Sequence, residues 1–301
     1  MVQVSVVIVN YNTFQLTSEA IASIQAHTHG VSYEIILVDN NSTECNPQLF
    51  LDKFPGSVIL VCNPDNSGFA KGNNLGIKQA KGETILLFNS DAACLNDAIT
   101  LTYQALQAEK NLGLTTARLE YPDGRVQHSC GRFPSISLQM IELLRLQKLM
   151  SAEQRANTLQ GAFFTYDKPL YPDWVWGTYY HLKREVIEQM PGQQLADDFF
   201  MYAEDLQWSY TVRKLGYIIK YVPEARVMHH FSQSTKKEKR LNQGNMILQN
   251  EDTFLNREYG WVTTKVYYLA KMANIFLLRG TPEHRKLLLQ QYSKMLLGKS
   301  L

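Results

Sequence analysis

At 301 residues, with 45% hydrophobic and 19% charged side chains, the chain has the make-up of an ordinary globular protein of one large or two modest domains, and not of a disordered one. A net charge of +2 gives no argument for nucleic acid as a partner. The four cysteines, Cys45, Cys62, Cys94 and Cys130, lie far apart without CxxC spacing, which argues against a zinc knuckle and for reduced thiols. No cleavable signal and no run long enough to span a bilayer are evident, so a cytoplasmic protein is expected.

In chain order, the apolar run 4–9 reads as a buried strand broken by Asn10-Tyr11-Asn12-Thr13. Leu16, Ala20, Ile21 and Ile24 recur at helical spacing and predict an amphipathic helix to about His27. A second strand over 34–39 ends in Asp39-Asn40-Asn41-Ser42, and a third over 57–62 ends in Asn63. The stretch 69–80 predicts a helix closed by Lys81 and Gly82. Thr84-Ile85-Leu86-Leu87-Phe88 reads as a fourth strand, buried on both faces as in a parallel sheet, and it stops abruptly at Asn89-Ser90-Asp91. Strand–helix alternation with short connections predicts an α/β fold with a doubly wound, mostly parallel sheet.

Four strand ends, at Asn10, Asp39, Asn63 and Asn89 to Asp91, finish in Asn or Asp. On one edge of one sheet they would form a polar crevice, where open α/β sheets bind ligands. Asn89-Ser90-Asp91 has a bland reading as a helix-capping turn. It also has a functional one, a carboxylate gripping Mg²⁺ or Mn²⁺ against a diphosphate. Neither GxGxxG nor GxxxxGK[ST] follows any strand, so a bound nucleotide would not be held by a glycine turn of those kinds.

The segments Val6-Val7-Ile8-Val9-Asn10-Tyr11-Asn12, Leu37-Val38-Asp39-Asn40-Asn41-Ser42, Asn66-Ser67-Gly68-Phe69-Ala70 with Asn73-Asn74-Leu75-Gly76, and Leu87-Phe88-Asn89-Ser90-Asp91 fall in order along the chain. Together they resemble family 2 glycosyltransferases, inverting enzymes of the GT-A fold, and within them the bacterial rhamnosyltransferase-like branch. The resemblance implies a UDP- or dTDP-linked sugar donor, a divalent metal and a glycan or lipid-linked acceptor. It implies that Asp39 contacts the base or ribose, and that Asn66, Gly68 and Asn73 line the nucleotide pocket with Asn10 and Asn12. It also places Asp91 in the metal-binding acid motif. Asn89 stands where the family carries that motif's first Asp, and would contact the ribose or a metal-bound water.

Beyond Asp91 a helix over 96–109 and a strand over 112–117 are expected, then a turn at Tyr121-Pro122-Asp123-Gly124-Arg125 between extended segments. The stretch 138–150 reads as an amphipathic helix, with core packing preferred to a membrane-surface position. Trp174, Trp176 and Gly177 could be core residues or a wall stacking on a sugar, and the family's Trp–Gly segment favours the wall. Glu204 and Asp205 open a helix that ends at Gly216, where acids could simply complement the helix dipole. Neighbouring helical residues point about 100° apart, so only one of the two can face an acceptor hydroxyl. The resemblance makes Asp205 the general base and Glu204 an orienting residue. Gln207, Tyr210 and Ala196 depart from the family pattern here.

A strand over 217–222 is followed by His229 and His230. A lone His is usually structural, but the family's late histidine falls on His229, which with Asp91 would complete the metal site. The Ser/Thr-rich loop 231–235 would close over the diphosphate, and the basic run 236–240 reads mainly as a solvated charge run. Between Lys265 and Lys299 the chain carries seven Lys or Arg against one acid, Glu283, with Tyr267, Tyr268, Phe276 and Tyr292 interleaved. That mixture suits a helix lying peripherally on the cytoplasmic face of an anionic membrane, or a partner-helix or homodimer contact.

The expected organisation is a GT-A domain over 1–240, with a nucleotide-sugar half (1–118) and an acceptor and catalytic half (119–240), then a helical extension over 241–301. Two rival readings stand beside an inverting glycosyltransferase. A sugar nucleotidyltransferase would want a Gly-rich basic loop after the first strand, which Asn10-Tyr11-Asn12-Thr13 is not. A non-catalytic glycan-binding scaffold fits the departures at Asn89 and Ala196 but not the retained Asp91, Glu204, Asp205 and His229.

Overall fold

The computed structural model describes residues 1–230, 237–277 and 282–298, with the backbone alone for 237–243. The chain divides into two compact units, residues 1–131 with 165–233, and residues 132–164 with 234–301. Residues 132–164 thus group with the C-terminal helices.

In chain order the elements are β1 (Val4–Asn10), α1 (Phe14–His27), β2 (Tyr33–Asp39), α2 (Leu49–Lys53), β3 (Val58–Cys62), α3 (Phe69–Ile77), β4 (Thr84–Phe88), β5 (Ala92–Cys94), α4 (Ala98–Ala108), β6 (Leu112–Glu120) and β7 (Cys130–Gly131). The second unit then contributes α5 (Ile136–Leu143) and α6 (Ala152–Leu159). The first unit resumes with β8 (Trp174–Val175), β9 (Tyr179–Lys183), α7 (Arg184–Gln189), α8 (Glu204–Lys214) and β10 (Ile218–His229). Two helices close the chain, α9 (Lys237–Leu277) and α10 (Pro282–Leu296).

The main sheet has the order β3-β2-β1-β4-β9-β6-β10-β5. Pairings β1–β2, β1–β4, β2–β3 and β6–β10 are parallel, while β9 runs antiparallel to β4 and β6, and β5 to β10. The mostly parallel sheet expected from the strand–helix alternation is therefore present, with β9 as an antiparallel insert at its centre. Every side chain of β4 is buried, as its unbroken apolar run requires. Ala20, Ile21 and Ile24 of α1 are buried on the core side at helical spacing. His181 of β9 is a structural histidine, fully buried between Thr84 Oγ1 (2.8 Å) and Thr102 Oγ1 (2.9 Å), with burial pushing its pKa down to about 3.

The third strand is the sheet edge, and only Val58 of its five residues is buried. Two local expectations are corrected. The helix over 69–80 stops at Ile77. The helix expected over 138–150 ends at Leu143, because Arg145 adopts a left-handed backbone (φ 55°) and a single 3₁₀ turn follows. Its apolar residues Met140, Leu144, Leu146 and Leu149 are exposed, contrary to the preferred core reading.

In the second unit α9 is broken at Gly260 (φ 79°, ψ 161°). Tyr267 hydrogen-bonds to Glu251 at 3.1 Å and Tyr268 to Asp252. Sixteen residues of continuous helix would separate such partners by about 24 Å, so the two halves fold back as a hairpin at Gly260. Asn274 joins α5 to this hairpin by donating to Gln139 O (2.9 Å) and Oε1 (3.0 Å), and Tyr292 of α10 packs on Tyr268. No described helix is long and apolar enough to cross a membrane.

Candidate active site

The carboxyl ends of β3, β2, β1 and β4 lie side by side on one edge, which brings the four polar strand ends together. Asn10 donates from Nδ2 to Asp39 Oδ1 (2.8 Å) and Ser42 Oγ (2.9 Å), while its Oδ1 accepts from Thr13 and Thr17. Its amide is fully engaged within the protein, so its visible task is to hold Asp39. Asp39 Oδ2 also accepts from Ser42 N (3.0 Å). Asn12, with a left-handed backbone (φ 53°), accepts from the amides of Thr43 (2.7 Å) and Glu44 (3.2 Å) and so fixes the loop after β2.

Asn66 Oδ1 accepts from Asn40 Nδ2 (3.0 Å) and Gly68 N (3.3 Å). Gly68 (φ 88°) faces the Phe200 carbonyl so closely that a Cβ would lie 2.5 Å from it, and Phe69 N donates to the same oxygen (3.2 Å). Asn73 gives its Nδ2 to Phe69 O (2.9 Å), and its buried Oδ1 has no partner. Asn74 clamps Leu195 through both backbone groups (2.9 and 3.0 Å). The start of α3 thus anchors the segment that leads into α8.

The second cluster is Asp91 with His229. The β5–β10 pairing sets His229 opposite Ala92, and His230 N donates to Asp91 O (3.0 Å). His229 Nε2 then lies 3.3 Å from Asp91 Oδ1. Gln127 Nε2 donates to His229 O (2.8 Å), which fixes the amide so that Gln127 Oε1 accepts from His229 Nδ1–H (2.8 Å). A neutral imidazole so held turns its Nε2 lone pair toward a carboxylate oxygen. Two acceptors facing each other call for a proton or a cation between them. Burial alone would raise the Asp91 pKa, but with a proton in that place the hydrogen bond from His229 and its positive charge hold the carboxyl below the usual range.

The third cluster opens α8. Tyr202 (φ 72°) and Ala203 (φ 65°) are consecutive left-handed residues, a conformation costing about 1–3 kcal/mol each and typical of functional turns. They deliver Glu204 and Asp205 into the first helical turn. Glu204 is buried with Oε2 unpartnered, and burial together with the neighbouring Asp205 raises its pKa strongly. Burial raises Asp205 as well, but backbone donors from Gly177 (3.1 Å) and Leu206 (2.8 Å) favour its anion. Asp205 is only half-buried, so this better-supported anion is also the accessible one.

Gly177 and Thr178 join the clusters. Gly177 N donates to Asp205 Oδ2, and Asn89 N donates to Thr178 O (3.0 Å). Two consecutive residues therefore link the carboxylate of α8 to the turn carrying Asp91. Of the two tryptophans just before this dipeptide, Trp176 leans on the main core and Trp174 covers Gly131, where a Cβ would meet its Nε1 at 2.6 Å. Asn89 Oδ1 is buried without a hydrogen-bond partner. The loop 231–235 and the side chains of 236–240 lie outside the described residues.

The pattern described as "Glycosyl transferase family 2" matches residues 5–167, more than half of the chain. The chain belongs to glycosyl transferase family 2. An uncharacterised Sinorhizobium fredii protein, y4gI, is 29% identical over 131 residues, 42% of this chain but only 14% of that protein. The N-acetylglucosaminyl-diphospho-decaprenol L-rhamnosyltransferase of Mycobacterium tuberculosis is 23% identical over 274 residues, 85% of each chain. A crystal structure of GalNAc-T7 with UDP, GalNAc and Mn²⁺ superposes with a TM-score of 0.59 at 15% identity, covering 97% of this chain and 55% of the other. That likeness establishes the GT-A fold.

In this family 2 member the residues able to hold a divalent cation are Asp91 and His229; among the described residues no three His, Cys, Asp or Glu side chains gather as a complete cage. Two protein ligands suit Mg²⁺ or Mn²⁺, which keep water and phosphate oxygens in their shells. A polar cleft of roughly 950 Å³ lined by Glu83, Lys110 and Lys183 lies at the opposite ends of the strands and shares nothing with these clusters. Sequence reasoning missed Gln127, which touches a site residue and forms no motif; Asn40 and Asn74 lay within the motif segments without a role of their own. The turn at 121–125 was the one available signal for Gln127.

Proposed function

We propose that the chain is an inverting glycosyltransferase that moves a sugar, rhamnose or another hexose, from a UDP- or dTDP-linked donor to a hydroxyl of a glycan or lipid-linked acceptor. The observation that carries this reading is the dipeptide Gly177–Thr178, which hydrogen-bonds to Asp205 at one end and to the Asn89–Asp91 turn at the other. Donor diphosphate and acceptor hydroxyl must meet at a fixed separation for one displacement to join them.

Asp91 and His229 would hold Mg²⁺ or Mn²⁺, which when bound neutralises charge on the departing diphosphate. Asp205 takes the proton from the acceptor oxygen as that oxygen bonds to the anomeric carbon and the diphosphate leaves. Glu204, kept neutral by burial, leaves Asp205 as the single anion of the pair. Trp174 and Trp176 would offer aromatic faces to the sugars, and Asp39, Asn66, Gly68 and Asn73 would frame the nucleotide.

A lipid-linked acceptor would bring the protein to the cytoplasmic face of a membrane. The exposed Trp261, Val262, Val266, Leu269 and Phe276 of α9 supply an apolar face for that surface or for a second copy. Binding to anionic vesicles, read beside the oligomeric state in solution, separates the two.

The main test is thermal stabilisation across UDP-, dTDP- and GDP-sugars with Mn²⁺. A UDP- or dTDP-sugar should raise Tm, and chelation should reverse the rise. No stabilisation by any of them, with no transfer or donor hydrolysis, would overturn the reading.

A further inference from the structure

Gln127 is one of the most completely enclosed polar residues of the first unit, with 1% of its surface exposed. The turn at 121–125 puts it there. Tyr121 N donates to Arg125 O (2.8 Å), Glu120 bridges to Val126, and Gln127 N donates to Leu119 O (2.8 Å). The chain therefore doubles back beside the end of β6, which pairs with β10 through Glu120 and Met228. His229 is the next residue of β10, and both ends of the Gln127 amide close on it.

We infer that Gln127 is a positioning residue for the divalent cation, locking His229 in the Nδ1–H tautomer so that Nε2 presents its lone pair beside Asp91. The His229 carbonyl accepts only from the NH₂ end of the amide, so the carbonyl end must meet Nδ1 and must find a hydrogen there. The backbone bond also stops the amide from flipping, and with it the tautomer. Outer groups of this kind set ligand orientation and basicity, and their loss costs about 10–100-fold in metal affinity.

This inference depends on the metal reading of Asp91 and His229, so its test has one arm that needs no metal. Gln127→Met keeps the side-chain length and removes the acceptor; Gln127→Glu keeps an acceptor for Nδ1–H. In metal-free protein, at a pH where the imidazole is neutral, ¹⁵N shifts of His229 should report Nδ1–H in the unaltered chain and in Gln127→Glu, and a shift toward Nε2–H, which Asp91 accepts, in Gln127→Met. Mn²⁺ affinity with UDP present should fall about 10–100-fold in Gln127→Met and recover in Gln127→Glu. Loss of Tm in both variants with Mn²⁺ affinity unchanged in both would assign Gln127 a packing role and overturn the inference. An unaltered chain with the Nδ1–H tautomer but no Mn²⁺ binding would overturn it together with the metal reading, whereas unaltered Mn²⁺ binding in Gln127→Met would overturn the inference alone.

Discussion

The two acid centres of the first unit are built from the same functional groups and pushed in opposite directions. At the end of β4, Asp91 meets an imidazole and is held as an anion below the ordinary carboxylate range. At the start of α8, Glu204 and Asp205 meet each other and an apolar surround, and both are raised. The difference lies in what each carboxyl faces. One centre is suited to keep negative charge for a cation, and the other to give and take a proton near neutral pH. That division is what joining a phosphate leaving group to a hydroxyl nucleophile requires.

The largest effect should come from Asp205→Asn. Turnover should fall about 10²–10⁴-fold while donor affinity, measured by calorimetry, stays near that of the unaltered chain. Near-normal turnover would dissolve the proton-handling half of the contrast. Asp91→Ala should do the reverse. Mn²⁺ affinity should fall by more than the roughly 10–100-fold typical of losing an outer partner, with the ionisation that governs Asp205 left in place; equal Mn²⁺ binding would remove Asp91 from the metal site.

Gly68→Ala sharpens the contrast by disturbing one centre only. Its Cβ would press on the Phe200 carbonyl in a left-handed conformation, costing at least about 1–2 kcal/mol. The segment leading to Glu204 should shift, so turnover and Tm should both drop. Mn²⁺ affinity, set at Asp91 and His229, should hold.

Glu204→Gln gives the smallest and most pH-dependent effect. The folded-state pKa of Glu204 is raised, so between the ordinary carboxylate range and that raised value the folded state binds the proton that the unfolded state releases. Stability therefore declines as pH rises through this window. The amide removes that decline, so the variant should melt a few degrees higher at about pH 9 and show no such gain at about pH 4. A gain confined to low pH would mean that Glu204 is stabilised as an anion.

Much of the first unit was legible because its strands carry unbroken apolar runs ending in Asn or Asp, a pattern that marks both a parallel sheet and its ligand edge. β9 was not, since four of its five residues are buried in succession without alternation and sit beside a Trp–Gly turn that drew the functional reading. β5 is three residues long, too short for any period. The Asp91–His229 encounter depended on β10 continuing through the register shift between Val222 and Arg226, which no residue pattern announced. The hairpin at Gly260 was visible only as a change of character after Trp261. Gln127 stayed hidden because an amide that orients a ligand has no spacing rule of its own.

The dipeptide Gly177–Thr178 acts as a ruler. Its own length is covalent, so under the proposed roles the side chains around it can alter the gap between Asp205 and the Asn89–Asp91 turn only through the hydrogen bonds at its two ends. Sugars of different size would have to be sorted by the walls of the crevice, with the reacting gap unaltered. Relatives that accept different donors should then vary at Trp174, Trp176 and the 199–203 segment while keeping this dipeptide in register.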